Sequence, residues 1–157
     1  MADKANRTRR WVLLGGGAAI VAGFAVREYR LIPQDYAGDR LSVQDAHQQA
    51  VSGDVLLVDI RTPREWQTTG VGQGAHPLDM RRDDFEQALA QLTGGDRNAP
   101  VALICARGVR SARLSNRLTE AGFTNIIDVP EGMLGSAAGP GWVRAGLPVE
   151  HNTGETG

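Results

Sequence analysis

Apolar residues form three short runs along the chain, at residues 55–58, 101–104 and 125–129. Runs of this kind are typical of strands that are buried on both faces, as in parallel sheets. We therefore predict three buried strands, separated by stretches long enough to hold helices.

Between these runs the apolar residues recur at helical spacing. The stretches with this spacing are residues 43–51, which follow Ser42 as a capping residue, and residues 85–92 and 114–121. Glycines should end these three helices, at Gly53, at the pair Gly94-Gly95 and at Gly122.

A fourth helix should begin at Thr62, since Pro63 suits the first turn and Glu65 can complete a capping box. Residues 69–77 are rich in glycine and are predicted to be irregular. The alternation of strands and helices predicts an α/β fold, an open parallel sheet flanked by helices.

The beginning of the chain has a different pattern. Residues 11–26 carry no charge, and basic residues stand before and after them. This run of 16 residues is short for a membrane-spanning helix, which needs roughly 20, but apolar neighbours can extend it. We predict an N-terminal hydrophobic helix that acts as an uncleaved signal anchor. A cleaved secretory signal and a twin-arginine export signal at residues 8–13 stay open.

Charge around this run predicts its orientation. More positive charge precedes it than follows it, so the N-terminus should stay in the cytoplasm. The domain would lie on the extracytoplasmic side, the periplasm of a Gram-negative bacterium. We divide the chain into this segment (1–32), a linker (33–40), the domain (41–150) and a polar tail (151–157).

The composition of the chain limits the kinds of binding and catalysis that it can perform. The chain has 17 basic and 18 acidic residues, so it has no basic stripe typical of nucleic-acid binding. Cys105 is the one cysteine and can form no internal disulfide. Three isolated histidines do not have zinc spacing, and we expect no metal site. Chemistry that needs a thiol must use Cys105.

Cys105 follows the predicted strand at 101–104, and ligand sites in such sheets lie at this carboxyl edge. Ala106 and Gly108 allow the next backbone to curl, so that its N–H groups and the following helix N-terminus favour an anion. A thiol there should ionise readily and act as a nucleophile. The alternative is a buried, inert cysteine. Arg107 and Arg110 can attract an anionic donor.

Two motifs resemble those of rhodanese-like sulfurtransferases: D-I-R-T-P-R-E-W at 59–66 and C-A-R-G-V-R-S at 105–111. Segments 131–133 and 145–149 are similar to the closing segments of that family, and the resemblance covers about residues 39–150. It implies the rhodanese fold. It also implies a Cys105 persulfide that carries sulfur from a small anionic donor, such as thiosulfate, to a thiol or cyanide-like acceptor.

The resemblance also implies roles for the loop. Backbone amides of Ala106, Arg107, Gly108, Val109, Arg110 and Ser111 would cradle the persulfide. Arg110 would close the loop and meet the anion. No cofactor is implied, because the intermediate is covalent. The six residues from Cys105 to Arg110 have the sulfur-transfer length, whereas phosphatase relatives use one residue more. The sequence names no protein partner, and membrane contact would run through residues 11–26.

Asp59, Arg61 and Glu65 allow two interpretations, a substrate-positioning site or an ion-pair set that supports the site. We favour structural support. Three places differ from the family pattern. In residues 70–75 no histidine follows the first glycine, Arg107 should favour anionic donors, and Glu131 should oppose them. A non-catalytic binding or sulfur- and redox-sensing module is the main alternative function, and a membrane-tethered scaffold with a vestigial loop is a third.

Overall fold

Strands and helices alternate along residues 33–151, the part of the chain that the computed structural model describes. The strands are β1 (Asp39–Arg40), β2 (Leu56–Asp59), β3 (Val71–Gly72), β4 (Ala75–Pro77), β5 (Val101–Ile104), β6 (Ile126–Val129) and β7 (Val149–Glu150). The helices are α1 (Val43–Ser52), α2 (Pro63–Thr69), α3 (Phe85–Leu92) and α4 (Val109–Glu120). The α/β class predicted from the sequence is confirmed.

The main sheet has five parallel strands in the order β1-β6-β5-β2-β4, which places β5 at its centre. Every residue of β5 is buried, as expected for a strand covered on both faces. Ile104 is level with Asp59 on one side and with Val129 on the other. The carboxyl ends of three neighbouring strands therefore meet at one edge, directly before Cys105.

Alternate residues of the central strands build two cores, one on each face of the sheet. On one face Leu103 packs with Phe85 of α3 and Leu118 of α4. On the other face Ile104 packs with Val43 of α1 and with Trp142. This alternation follows from the two-residue period of a strand, and it holds helices on both faces.

Helix starts follow the predicted capping chemistry. The Ser42 side chain accepts a hydrogen bond from Asp45 N, and Gly53 ends α1 in the left-handed conformation. Thr62 and Glu65 form the reciprocal capping box at α2, with Pro63 in the first turn. Val51, at the end of the predicted apolar face of α1, is instead 60% exposed.

Two stretches differ from their predictions. The predicted linker contains β1, which pairs with β6, and Tyr36 before it is buried. The glycine-rich stretch contains β3 and β4. The strands β1, β3 and β4 were not predicted, because strands of two or three residues are too short to show a two-residue alternation. These strands form by pairing with residues that are distant in sequence.

The predicted N-terminal helix and its flanking charges, with residues 152–157 of the polar tail, lie outside the described residues. Among residues 33–151, no helix has both the length and the apolar character that a membrane crossing needs.

Candidate active site

Cys105 lies at the carboxyl end of the central strand, in the position that the sequence predicted. Cys105 is only 1% exposed, and its side chain packs in the core shared by α3 and α4. Its carbonyl oxygen accepts a hydrogen bond from Met133 N at 2.8 Å. The thiol therefore stands on a rigid base, at the floor of the loop and not on its rim.

Gly108 gives the loop its shape. It caps α4 with φ 80° and ψ −17°, a left-handed conformation that side chains disfavour. A Cβ added there would lie 2.1 Å from the carbonyl oxygen of Pro130. The loop after Cys105 can therefore turn into α4 in this way only with glycine at position 108.

A second segment forms the wall of the loop. Leu134 N donates to Ala106 O at 2.9 Å, beside the bond from Met133 to Cys105. A Cβ on Gly132 would lie 2.7 Å from Arg107 N, so glycine is needed for this close approach. The segment after β6 therefore holds the first half of the loop by backbone contacts.

Arg110 and Glu65 form an ion pair across the mouth of the loop. Arg110 donates from Nη1 to Glu65 Oε2 at 3.0 Å and from Nη2 to Oε1 at 2.5 Å. Burial opposes ionisation of Glu65, but hydrogen bonds from Arg110 and Thr62 outweigh it and lower the pKa of Glu65 to about 2. Hydrogen bonding to Glu65 also raises the pKa of Arg110, and Arg110 interacts electrostatically with Cys105. Glu65 is thus charged at neutral pH.

Asp59 and Arg61 form a separate, fully buried pair. Arg61 Nη2 donates to Asp59 Oδ2 at 2.6 Å and to Gly70 O at 2.7 Å, while Nη1 donates to Thr69 Oγ1 at 2.6 Å. These bonds join the end of β2 to the end of α2. Arg61 Nη1 also donates to Glu65 O at 3.5 Å, so the three residues grouped by the sequence are linked, and Glu65 alone of them contacts Arg110 of the Cys105 loop.

Arg107 and Glu131, which differ from the sequence pattern described above, have different surroundings. The Arg107 side chain lies at the surface beside the loop, and its Nη1 donates to Gly135 O at 3.3 Å. Glu131 is buried, and its two carboxylate oxygens accept from Val43 N and Gly141 N, each at 3.1 Å. Backbone amides thus hold this carboxylate in place, and the expectation that Glu131 opposes anionic donors stays a prediction.

Asp128 is the residue near the site that sequence reasoning missed. It is 2% exposed, and burial raises its pKa to about 6 despite a hydrogen bond with Ser111. Ser111 is itself buried and donates to Gly108 O at 3.1 Å. An acidic residue within the run 125–129 was the available signal, since isolated charges are rarely buried.

Acidic, cysteine and histidine side chains within residues 33–151 form no group of three or more that could hold a metal ion. What the site offers is a thiol on the floor of a loop, with a helix N-terminus behind it and guanidinium groups beside it. These features suit a nucleophile that reacts with, or becomes, an anion.

Comparison with known proteins gives one family. The profile of the Rhodanese-like domain matches residues 42–138, more than half of the 157-residue chain. A thiosulfate sulfurtransferase (GlpE) of Actinobacillus pleuropneumoniae is 33% identical over 94 residues, which is 60% of this chain and 76% of that protein. An uncharacterised protein of Rickettsia rickettsii is 28% identical over 110 residues, 66% of this chain and 89% of that one. The solution structure of a polysulfide-sulfur transferase homodimer from Wolinella succinogenes superposes with a TM-score of 0.56 at 26% identity, covering 89% of this chain and 95% of that one.

Proposed function

The chain belongs to the rhodanese-like family, and from that premise we propose that it is a sulfurtransferase with Cys105 as its nucleophile. One observation carries the proposal. Cys105 stands at the carboxyl end of the central strand, on the floor of a six-residue loop that runs into the N-terminus of α4. Relatives named as sulfurtransferases at modest identity support it.

The first half-reaction loads sulfur onto Cys105. The thiolate attacks the outer sulfur of thiosulfate, a new S–S bond forms, and the old S–S bond breaks with its electron pair leaving on sulfite. A negatively charged Cys105 persulfide remains. Backbone amides from Ala106 to Ser111 stabilise this anion, together with the positive end of α4.

The second half-reaction returns the enzyme to its starting state. A thiolate or cyanide attacks the outer sulfur of the persulfide, and the bond to the Cys105 sulfur breaks with its electron pair on that sulfur. The acceptor leaves as a persulfide or as thiocyanate. The cycle needs no cofactor, because the sulfur is carried covalently.

Arg110 has a double task in this proposal. Its bidentate contact with Glu65 fixes the guanidinium at the loop mouth, and its positive charge attracts an anionic donor toward Cys105. Because the charge of Glu65 already offsets that of Arg110, Arg110 attracts an anionic donor less strongly than an unpaired arginine would. Arg107, which forms no ion pair with another residue of the range 33–151, supplies the remaining attraction.

Intact mass spectrometry tests the proposal. The reduced full-length protein is mixed with thiosulfate and analysed without a reducing agent. We expect a gain of one sulfur atom that cyanide or dithiothreitol removes and that Cys105→Ser never shows. Absence of this gain, with donors of both inorganic and organic persulfide type, would exclude sulfur transfer through Cys105.

The near-complete burial of Cys105 favours a second candidate function, a non-catalytic binding or redox-sensing module. In that case the thiol should alkylate as slowly in the folded protein as a core cysteine does. A sulfurtransferase should instead show fast alkylation by a small neutral reagent at pH 6, because the loop holds a thiolate. The alkylation rate of folded protein therefore separates the two functions.

We also propose that residues 1–32 anchor the domain on the extracytoplasmic side of a membrane. The uncharged run at 11–26 and the basic residues before it support this assignment. Fractionation of expressing bacteria should place the chain in the membrane, where external protease should reach the domain in spheroplasts. The intact mass of the recovered protein shows whether the segment has been cleaved, and recovery from the cytosol would contradict the proposal.

A further inference from the structure

Glu131 is a buried acidic residue that takes no part in the proposed reaction. It lies two residues beyond β6 and is 5% exposed. Its Oε1 accepts a hydrogen bond from Val43 N, and its Oε2 accepts one from Gly141 N, each at 3.1 Å. Burial of a carboxylate is unfavourable unless hydrogen bonds replace those of water. Here both bonds come from the backbone of other segments, so the carboxylate joins three parts of the chain.

The two amides belong to a helix start and to a returning segment of the chain. Val43 is the first residue of α1, and the early N–H groups of a helix have no partner within it. Gly141 begins a segment that runs beside the residues after Glu131, since Trp142 N donates to Gly132 O at 3.0 Å. A Cβ added to Gly141 would lie 2.9 Å from the same carbonyl oxygen. Glu131 therefore holds α1 and this segment against its own part of the chain.

The residues directly after Glu131 form the wall of the Cys105 loop. Met133 N donates to Cys105 O at 2.8 Å, and Leu134 N donates to Ala106 O at 2.9 Å. The residues from Glu131 to Leu134 belong to no helix or strand, so their contacts with other segments fix their position. Glu131 makes such contacts two residues before the hydrogen bond to the nucleophile.

We propose that Glu131 is a positioning residue for sulfur transfer. By joining residues 131–134 to α1 and to Gly141, its carboxylate holds the Cys105 carbonyl, and the backbone amides that follow it, in the arrangement that favours the thiolate. This role rests on the proposed function for its meaning in catalysis. Its structural part, that Glu131 controls the reactivity of Cys105, is testable without a sulfur donor.

The test compares the wild-type full-length protein with Glu131→Gln. Glutamine keeps the size of the side chain but replaces one acceptor oxygen by an NH2 group, which would face a backbone N–H. The rate of Cys105 alkylation by iodoacetamide is measured at pH 6, under conditions in which both proteins are folded. We expect this rate to fall about three- to tenfold, the effect of one lost hydrogen bond on the amides that stabilise the thiolate. An unchanged or a higher rate would overturn the proposal.

Persulfide formation gives a second readout, which separates two roles of Glu131. The rate constant at saturating thiosulfate, followed by intact mass, should fall by a similar factor in Glu131→Gln. A carboxylate that merely opposes anionic donors would change only the half-saturating thiosulfate concentration, because its charge acts before the donor is bound. An unchanged rate constant at saturation would therefore contradict the positioning role.

Ser42→Ala is the control for a general loss of stability. The Ser42 hydroxyl accepts from Asp45 N at 3.1 Å, so it also binds an N–H of the first turn of α1. Its side-chain hydrogen bonds within residues 33–151 join it to Asp45 alone, and not to the wall of the loop. We expect the urea midpoint of unfolding to fall in both variants, but the reactivity of Cys105 to fall only in Glu131→Gln. Equal slowing in both would assign the effect to α1 and overturn the proposal.

Gly139→Ala perturbs the carboxylate without removing it, and it keeps the test available if Glu131→Gln does not fold. A Cβ on Gly139 would overlap Glu131 Oε2, and Gly139 does not have the left-handed conformation in which alanine would be strained. The variant should slow alkylation by about twofold, because the displaced carboxylate binds its amides less well. A wild-type rate in Gly139→Ala would contradict the proposal.

The proposed function and the role of Glu131 fail in different ways. If the wild-type protein forms no persulfide but Glu131→Gln slows alkylation, the sulfurtransferase function is wrong and the control of Cys105 by Glu131 stands. If the wild-type protein forms the persulfide and Glu131→Gln alkylates and loads sulfur as fast, the function stands and the positioning role is wrong.

Discussion

The Cys105 loop has an acidic residue on each side, and the pKa values of the two are shifted in opposite directions. Glu65, at the mouth, is about one-third exposed and pairs with Arg110 through both carboxylate oxygens. Asp128, behind the loop, is 2% exposed, and one of its oxygens has no partner within residues 33–151. The pKa of Glu65 is lowered to about 2 and that of Asp128 is raised to about 6.

The difference shows that partners, and not residue type, decide what a carboxyl group does beside the thiol. An opposite charge and hydrogen-bond donors hold Glu65 ionised, whereas burial outweighs the opposing charge of Arg40 and favours the neutral form of Asp128. The mouth of the loop is therefore fixed by charge over the whole physiological pH range. Behind the loop, by contrast, the charge of Asp128 changes near pH 6.

The largest effect should come from Gly108→Ala, because Gly108 forms the turn that lies between the mouth and the rear of the Cys105 loop. The added Cβ would meet the Pro130 carbonyl oxygen at 2.1 Å in a left-handed backbone conformation. We expect a loss of about 2–5 kcal/mol in the free energy of unfolding, measured by urea titration, and loss of persulfide formation.

Gly95→Ala is the matched control for that substitution. Gly95 has φ 88°, close to that of Gly108, but a Cβ there meets no atom within 4 Å. It should therefore cost only the conformational part, about 1–2 kcal/mol. Equal losses for the two variants would mean that contact with Pro130 does not shape the loop.

Asp128→Asn should give the next largest effect and tests the rear side alone. A carboxyl group with a raised pKa binds its proton more tightly in the folded state, so the fold is most stable below pH 4 and loses that stability as pH rises to about 6. At about 1.4 kcal/mol per pKa unit, the loss by pH 7 is up to about 3 kcal/mol. The variant should lack this fall, which urea unfolding between pH 4 and 7.5 would show.

The matched comparison for this result is Asp84→Asn. Asp84 is half exposed and pairs with Arg82 at 2.8 Å, so hydrogen bonding to Arg82 lowers its pKa. The Asp84→Asn variant should therefore still lose stability between pH 4 and 6, as the wild-type protein does. An unchanged decline in Asp128→Asn would show that Asp128 is already ionised in the folded protein at pH 4.

Glu65→Gln should have a smaller effect of opposite sign. A lowered pKa contributes stability that is present above the unfolded value of 4.5 and is lost as pH falls toward 2. Because the pair is partly exposed, we expect a cost of about 1 kcal/mol at pH 7 that shrinks as pH falls below 4.5 and is lost only below about pH 2. Thermal unfolding at pH 1.5, 5 and 7 measures this, and a cost that persists at pH 1.5 would assign it to the capping box instead of the ion pair.

The mouth of the loop was readable from the sequence because its residues belong to local patterns. Thr62 and Glu65 form a capping box within four residues, and Cys105 follows an apolar run directly. Such patterns depend on neighbours in sequence, so the buried strands β2, β5 and β6, the capped starts of α1 and α2, and the place of the thiol were predicted, whereas β1, β3, β4 and β7 were not. The contact of Glu65 with Arg110 joins residues 45 apart and appears only in three dimensions.

The surroundings of Asp128, behind the loop, could not be predicted from the sequence, because they depend on residues that are distant in the chain. Asp128 gains its character from α4, which covers it, and from β1, which pairs beside it at Arg40. A two-residue strand in a predicted linker gives no periodic signal, so neither the burial of Asp128 nor its raised pKa follows from the pattern. The amide partners of Glu131, at Val43 and Gly141, are likewise remote in the chain and do not follow from the sequence pattern.

The smallest effect should come from Arg107→Gln, which distinguishes the two guanidinium groups at the mouth. Arg110 is already paired with Glu65, whereas Arg107 donates only to a backbone carbonyl at 3.3 Å. Removal of Arg107 should leave stability within about 0.5 kcal/mol, since surface substitutions rarely cost more. It should raise the KM for thiosulfate about two- to fivefold at low salt, with kcat unchanged, because an exposed cation attracts the donor before reaction.

Salt provides the decisive contrast for Arg107, because exposed charges are screened within about 10 Å at 0.1 M ionic strength. The difference in KM between wild type and Arg107→Gln should therefore shrink as sodium chloride is added. Arg117→Gln, a half-exposed arginine in the last turn of α4, is the matched control and should leave KM unchanged. If both variants raise KM equally, overall charge and not a local cation attracts the donor. If neither does, the neutralised Arg110 is sufficient, and the mouth of the loop binds its anion by displacing Glu65.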